Sequence, residues 1–233
     1  MERKPIMKSV AVSIPADAVQ LAGDLAVPDD AKGVVLFAHG SGSSRLSPRN
    51  RSVARALQES GIATLLFDLL TADEAEDRSN VFDIPFLAER LRCARRFVHE
   101  AKDTRRLAIG YFGASTGAAA ALVAAAGDNV VRAVVSRGGR PDLAAEALPL
   151  VTAPTLLIVG GDDFGVIELN QDALRRLRCE KRLEIVPGAS HLFEEPGTLE
   201  EVVRLASAWF VEHLGQHPAH APAQQPVQTR PAR

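Results

Sequence analysis

Aromatic residues make up only 5% of this chain, with a single Trp and a single Tyr, so its interior has to be filled by aliphatic and alanine side chains. Cysteine is equally scarce. Cys93 lies in an Arg-rich stretch and Cys179 in "LRCEKR", and neither has a Cys or His neighbour at metal-ligand spacing. That argues against a disulfide framework or a zinc site and predicts free thiols. There is no excess of one charge: 27 Lys and Arg face 29 Asp and Glu, the net charge is -2, and the pI is near 6.3. Such a chain lacks the field that gathers nucleic acid or an anionic bilayer, so no nucleic-acid and no membrane partner is expected. No apolar run is long enough to cross a bilayer. The opening MERKPIMKSV is not followed by an apolar segment and a small-residue cleavage site, and the expected location is cytoplasmic. The strand-borne glycine motifs of nucleotide-binding proteins are also missing, and no cofactor is called for.

What is present is a chain of 233 residues, 46% hydrophobic and 24% charged, enough for one sizeable α/β core. Short β-branched or Leu-rich runs alternate with amphipathic stretches of helical length, the pattern of a mostly parallel sheet covered by helices on both faces. Two leading runs split by "PAD" predict an N-terminal antiparallel hairpin. "GVVLFAHG", "IATLLFDLL", "RRLAIGYFGAS", "VRAVVSRGG", "APTLLIVGG" and "KRLEIVPGA" predict the strands that follow, several apolar at almost every position as doubly buried strands are. A helix is expected from about Ile84 to Ala101, with Pro85 in its first turn, and "TADEAEDRSN" is expected to be an acidic loop. The domain is read as residues 1–214. The Pro- and Gln-rich remainder, 215–233, has no apolar periodicity and is read as a disordered tail, with His217 and His220 too few to make a metal site.

Gly113, Ser115 and Gly117 form a G-x-S-x-G pattern between a predicted strand and an alanine-rich predicted helix. A sharp strand-to-helix turn there would lift the Ser115 hydroxyl above the carboxyl edge of the sheet, with the helix N-terminus behind it. A hydroxyl becomes a useful nucleophile only when a base takes its proton. His191, on the loop after the last predicted strand, is the candidate; His99 and His213 fall in amphipathic helices, and His39 closes an earlier strand. The base needs an orienting carboxylate, and "VGGDDFGV" offers both Asp162 and Asp163 at another strand end.

"FAHGSGSS", "GASTG", "VGGDDFGV" and "PGASHLF", in this order and at strand ends, resemble the α/β-hydrolase fold, in particular its dienelactone hydrolase-like branch, over about residues 10 to 214. The resemblance implies a serine hydrolase with Ser115, Asp163 and His191 as triad. Asp163 stands three residues after Gly160 and Val166 completes the family's G-x-x-D-x-x-V pattern; Asp162 remains the alternative acid. It further implies an oxyanion hole from the backbone N–H groups of Ser41 and Thr116. Dienelactone hydrolases proper carry a cysteine at the elbow where this chain has Ser115, so lactone specificity is not implied. The expected reaction is hydrolysis of small or extended carboxylic esters through an acyl-serine. A thioesterase, acyltransferase or lactone hydrolase on the same triad, and a non-catalytic ligand-binding protein on the same fold, are the alternatives. The span from Ser136 to Ala153 is too short for a cap domain, which predicts an open site. Arg137, Arg140, Arg45 and Arg49 lie near strand ends. Arg137 and Arg45 are the candidates to bind a substrate anion, although a solvated surface side chain is the plainer expectation for each. Whether the chain pairs with itself is open on sequence grounds.

Overall fold

A computed structural model describes residues 7–215; the segment read as a tail, with His217 and His220, lies outside the described residues apart from Gly215. The strands are β1 (Met7–Ala16), β2 (Val19–Pro28), β3 (Gly33–Ala38), β4 (Ala63–Phe67), β5 (Ala108–Ala114), β6 (Val131–Arg137), β7 (Thr155–Gly160) and β8 (Lys181–Val186). They form one sheet in the order β1-β2-β4-β3-β5-β6-β7-β8. β1 pairs antiparallel with β2, and β2 with β4. All later pairings are parallel. The expected hairpin and parallel sheet are therefore both present. The helices are α1 (Pro48–Glu59), α2 (Ala72–Glu76), α3 (Arg78–Phe82), α4 (Ile84–Glu100), α5 (Thr116–Ala125), α6 (Phe164–Arg176) and α7 (Thr198–Leu214).

Alternation along the strands explains the two-faced core. In β3, Val34, Leu36 and Ala38 pack on the side of α4 and α5, whereas Val35 and Phe37 pack on the side of α1 and α7. Every β3 residue is buried, which is why its sequence lacks the polar alternation of a half-exposed strand. Ser47 caps α1 by accepting from the Asn50 N–H at 3.3 Å, and Asp83 caps α4 through the Phe86 N–H at 3.0 Å, each with a proline in the first turn.

The stretch read as an acidic loop is instead two short helices, α2 and α3. Thr71 and Glu74 form a reciprocal capping box, and Arg90 of α4 reaches across to Glu74 Oε1 at 2.6 Å. A T-x-x-E signature did stand in the sequence, but its acidic composition masked it. The span after β6 holds only two single-turn 3-10 helices, at Pro141–Ala144 and Leu148–Leu150, and so no cap domain.

The strands carry their chemistry at one edge because β5, between β3 and β6, feeds directly into α5. α5 is buried nearly all round by alanines, and two glycines let it approach so closely. A Cβ on Gly113 would lie 2.4 Å from Ala118 Cα, and one on Gly117 would lie 2.2 Å from the Ala38 carbonyl oxygen. Since the obstacle at Gly117 is backbone, Gly117→Ala is expected to destabilise the protein by about 1–3 kcal/mol through overpacking. Gly165→Ala, where nothing lies within 4 Å, should be neutral or slightly stabilising. Denaturant melts of the two variants check the contrast.

Candidate active site

Ser115 occupies the turn between β5 and α5 with φ 52° and ψ -121°. For a non-glycine residue this conformation costs about 1–3 kcal/mol, and its surroundings hold it there. The Ser115 N–H donates to Arg137 O at 3.2 Å, while its carbonyl accepts from Ala118 N–H at 3.1 Å and from Arg140 N–H at 3.2 Å. Both backbone polar groups are thus tied to neighbouring elements, and the half-buried side chain lines a cavity at the carboxyl edge of the sheet.

His191 lines the same cavity from the loop after β8. Its Nδ1–H donates to Asp163 Oδ2 at 2.6 Å, a charge-assisted length. The carboxylate accepts, so a proton belongs on Nδ1, and Nε2 is the nitrogen that the neutral ring leaves to take another. Asp163 is much the less exposed partner. Two backbone contacts nest its loop against that of His191. The Asp162 N–H donates to Ala189 O at 3.0 Å, and a Cβ on Gly160 would lie 2.3 Å from the same oxygen. Of the two aspartates left open by the sequence, Asp163 meets the imidazole and Asp162 is turned to solvent. The Ser190 N–H donates to Glu195 at 3.0 Å, fixing the His191 loop from its far side. Among the described residues no hydrogen bond joins Ser115 Oγ to the imidazole; hydrogen bonds of this kind are often long before substrate binds.

Thr116 opens α5, where the first N–H has no acceptor within the helix. The Ser41 N–H is differently placed from the expectation of a donor pointing freely into the site. It donates to Thr116 Oγ1 at 3.0 Å, so the threonine hydroxyl occupies it in this structure. Beneath this loop, His39 accepts from the Leu69 N–H through Nε2 at 3.1 Å and contacts Gly40 O through Nδ1 at 3.0 Å. A carbonyl only accepts and an N–H only donates, so the ring is neutral with its proton on Nδ1. Burial holds its pKa below the usual value, in agreement.

The arginines part company. Arg45 is not a pocket residue: its N–H and guanidinium both bind Asp68, at 2.7 and 2.6 Å. This long-range pairing corrects the substrate-binding expectation. Arg140 binds Asp142 through two hydrogen bonds. Arg49 lines the Ser115 cavity and reaches Glu194 at 3.1 Å. Arg137 also lines it, is only 7% exposed, and leaves Nε and Nη1 buried without a hydrogen-bond partner. A solvated surface role is thereby excluded for it. Burial, with the Arg49 cation second, pushes its pKa down to about 10, so it remains charged at neutral pH. Sequence reading did not find this burial, because it arises from the packing of Phe193 and the loops over the β6 end. Among the described residues no group of His, Cys, Asp and Glu is arranged to hold a metal ion, and no helix is long and apolar enough to cross a membrane.

A family model described as an alpha/beta hydrolase domain matches residues 31–203. The chain belongs to the α/β-hydrolase family. Within the family it is dienelactone hydrolase-like. The crystal structure of a dienelactone hydrolase from Anabaena variabilis is 57% identical, with a TM-score of 0.87, over 91% of this chain and 99% of that one. Est1E from Butyrivibrio proteoclasticus shares the α/β-hydrolase fold at 16% identity and a TM-score of 0.76, over 88% and 99% of the two chains. A Mycobacterium tuberculosis protein that carries the provisional name phosphoribosyl transferase is 58% identical over 211 residues, which is 90% of this chain and 48% of that protein. The chain spans about half the length of that curated relative.

Proposed function

We propose that this α/β-hydrolase cleaves carboxylic esters through an acyl-serine intermediate. The observation that carries the reading is the 2.6 Å hydrogen bond from His191 to Asp163, on a ring that shares a cavity with a serine held in a strained elbow. As Ser115 Oγ attacks the ester carbonyl, its proton passes to His191 Nε2, and the imidazolium so formed is stabilised by Asp163. The carbonyl oxygen gains negative charge and meets the free Thr116 N–H, joined by the Ser41 N–H once Thr116 Oγ1 turns aside. His191 then returns the proton to the leaving alkoxide as the carbon–oxygen bond breaks. Water, deprotonated by the same ring, attacks the acyl-serine and regenerates the hydroxyl.

The relative named for phosphoribosyl transfer is about twice as long as this chain. Its name belongs to a protein of which this chain covers 48%, and Ser115, His191 and Asp163 of this chain support acyl transfer instead. Transfer to an acceptor other than water would use the same residues. The reading is tested by incubating the folded protein with a fluorophosphonate probe and with p-nitrophenyl acetate. Stoichiometric labelling of Ser115 and steady release of nitrophenol are expected. A folded protein that does neither would overturn it.

A further inference from the structure

The oxyanion loop separates two chambers, one of mixed polarity and one mainly apolar. One, about 680 Å³, holds Ser115, His191, Arg137 and Arg49. The other, about 300 Å³, is walled by Leu69, Leu70, Ala75, Val81 and Leu87 and reaches Thr116. Gly40 to Ser44 border both. The outer wall of the apolar chamber is the α2–α3 segment, which buries no side chain of its own. Its polar link to the body is the Arg90–Glu74 pair, Arg90 being itself anchored to β1 by its hydrogen bond to Ala16 O at 2.7 Å, while the bond from Asn80 to Glu74 O at 2.9 Å joins α3 to α2 within the segment. Ala72, Ala75 and Val81 of the segment line the chamber. A 150 Å³ apolar cavity is already enough to admit benzene, so this chamber has room for a substituted ring or a medium acyl chain.

The reaction itself decides which part of an ester goes where. A carbonyl oxygen held by the Thr116 and Ser41 N–H groups leaves two substituents on the carbonyl carbon. The alkoxy group must lie on the His191 side, because that ring has to reprotonate it. The acyl substituent then points across the loop. On the His191 side waits Arg137, buried and lacking a partner at Nε and Nη1, beside an Arg49 whose charge is matched by Glu194. Arg49 and Arg137 both line this chamber, and among the described residues no carboxylate lines it.

Resting on the serine-hydrolase reading, we infer that the preferred substrate is an ester of an apolar acid with an alcohol that carries an anionic group, the acyl part lying under α2–α3 and the anion on Arg137. The test uses phenyl esters in two series. One varies the acyl group from acetyl to octanoyl on phenol. The other keeps the acyl group and replaces phenol by 3-hydroxybenzoate or by 3-hydroxyphenyl phosphate, which separates carboxylate from phosphate recognition. In Arg137→Met the anionic-to-neutral ratio of kcat/KM is expected to fall about tenfold or more, with Arg137→Lys intermediate. In Ala75→Trp, and in Val81→Phe should that variant fold poorly, the octanoyl-to-acetyl ratio is expected to fall about tenfold. Comparing ratios between wild type and variant cancels the intrinsic reactivity of each leaving group, and fluorophosphonate labelling of Ser115 reports that each variant is folded. The inference is overturned if both ratios stay unchanged. It is equally overturned if Arg137→Met acts on phenyl hemisuccinate, whose charge is on the acyl side, and not on the anionic phenols. Either result, with Ser115-dependent acetate hydrolysis intact, leaves the serine-hydrolase reading standing; hydrolysis that survives Ser115→Ala removes that reading instead.

Discussion

Ser115→Ala is expected to reduce hydrolysis of a short-chain p-nitrophenyl ester by a factor on the order of 10⁴–10⁶ and to abolish fluorophosphonate labelling. The size of the effect follows from what the substitution removes. The oxygen that would bond to the acyl carbon is lost, while the donors around it and the cavity remain, so only the residual stabilisation from those donors survives. The same backbone conformation, φ 52° and ψ -121°, burdens alanine as it burdens serine. The melting temperature of the variant should accordingly stay near that of the wild type, and loss of activity then cannot be ascribed to unfolding. Steady-state rates and a thermal melt on the same preparation check both halves. Undiminished turnover would remove the acyl-serine from the mechanism.

Asp163→Asn is expected to lower turnover by about 10⁴-fold, whereas Asp162→Asn should change it by no more than a small factor. The asparagine keeps the shape but can present an N–H to His191 Nδ1, which would strand the ring with its proton on Nε2, facing the serine it is meant to deprotonate. It also removes the charge that steadies the imidazolium. Asp162 has no such leverage: its contribution to the site is a backbone N–H on Ala189 O, and its side chain is exposed. Parallel kinetics of the two variants decide the point, and a larger loss from Asp162→Asn would reassign the orienting carboxylate.

Much of this arrangement could be read in the sequence because it depends on local pattern. A short, fully apolar run such as Val34–Ala38, bounded by Gly33 and Gly40, reads as a strand buried on both faces, and the spacing of Gly113, Ser115 and Gly117 gains meaning as a tight turn from its place between such a strand and an alanine-rich helix. The local pattern left Asp162 and Asp163 both open, and the choice of Asp163 came from the family resemblance, by counting from Gly160. What escaped depends on partners far away in the chain. Nothing near Arg45 signals that Asp68 will take both its N–H and its guanidinium. Nothing near Arg137 signals that the loops will close over it and leave it unpaired. The hydrogen bond from Ser41 to Thr116 spans 75 positions and exists only because β3 and β5 are neighbours in the sheet. The α2–α3 segment was missed on different grounds: it draws little of its stability from buried apolar surface, the property on which hydrophobic patterning relies.

The elbow has a further consequence for how the molecule fails. Ser115 is held in its conformation by hydrogen bonds from β6, α5 and the turn beyond β6, against its own backbone preference. Any softening of those neighbours lets it relax first, long before the eight-stranded sheet parts. Mild denaturant or a distant core mutation should extinguish catalysis while circular dichroism still reports a native fold, which makes enzymatic rate the earliest gauge of damage in this protein.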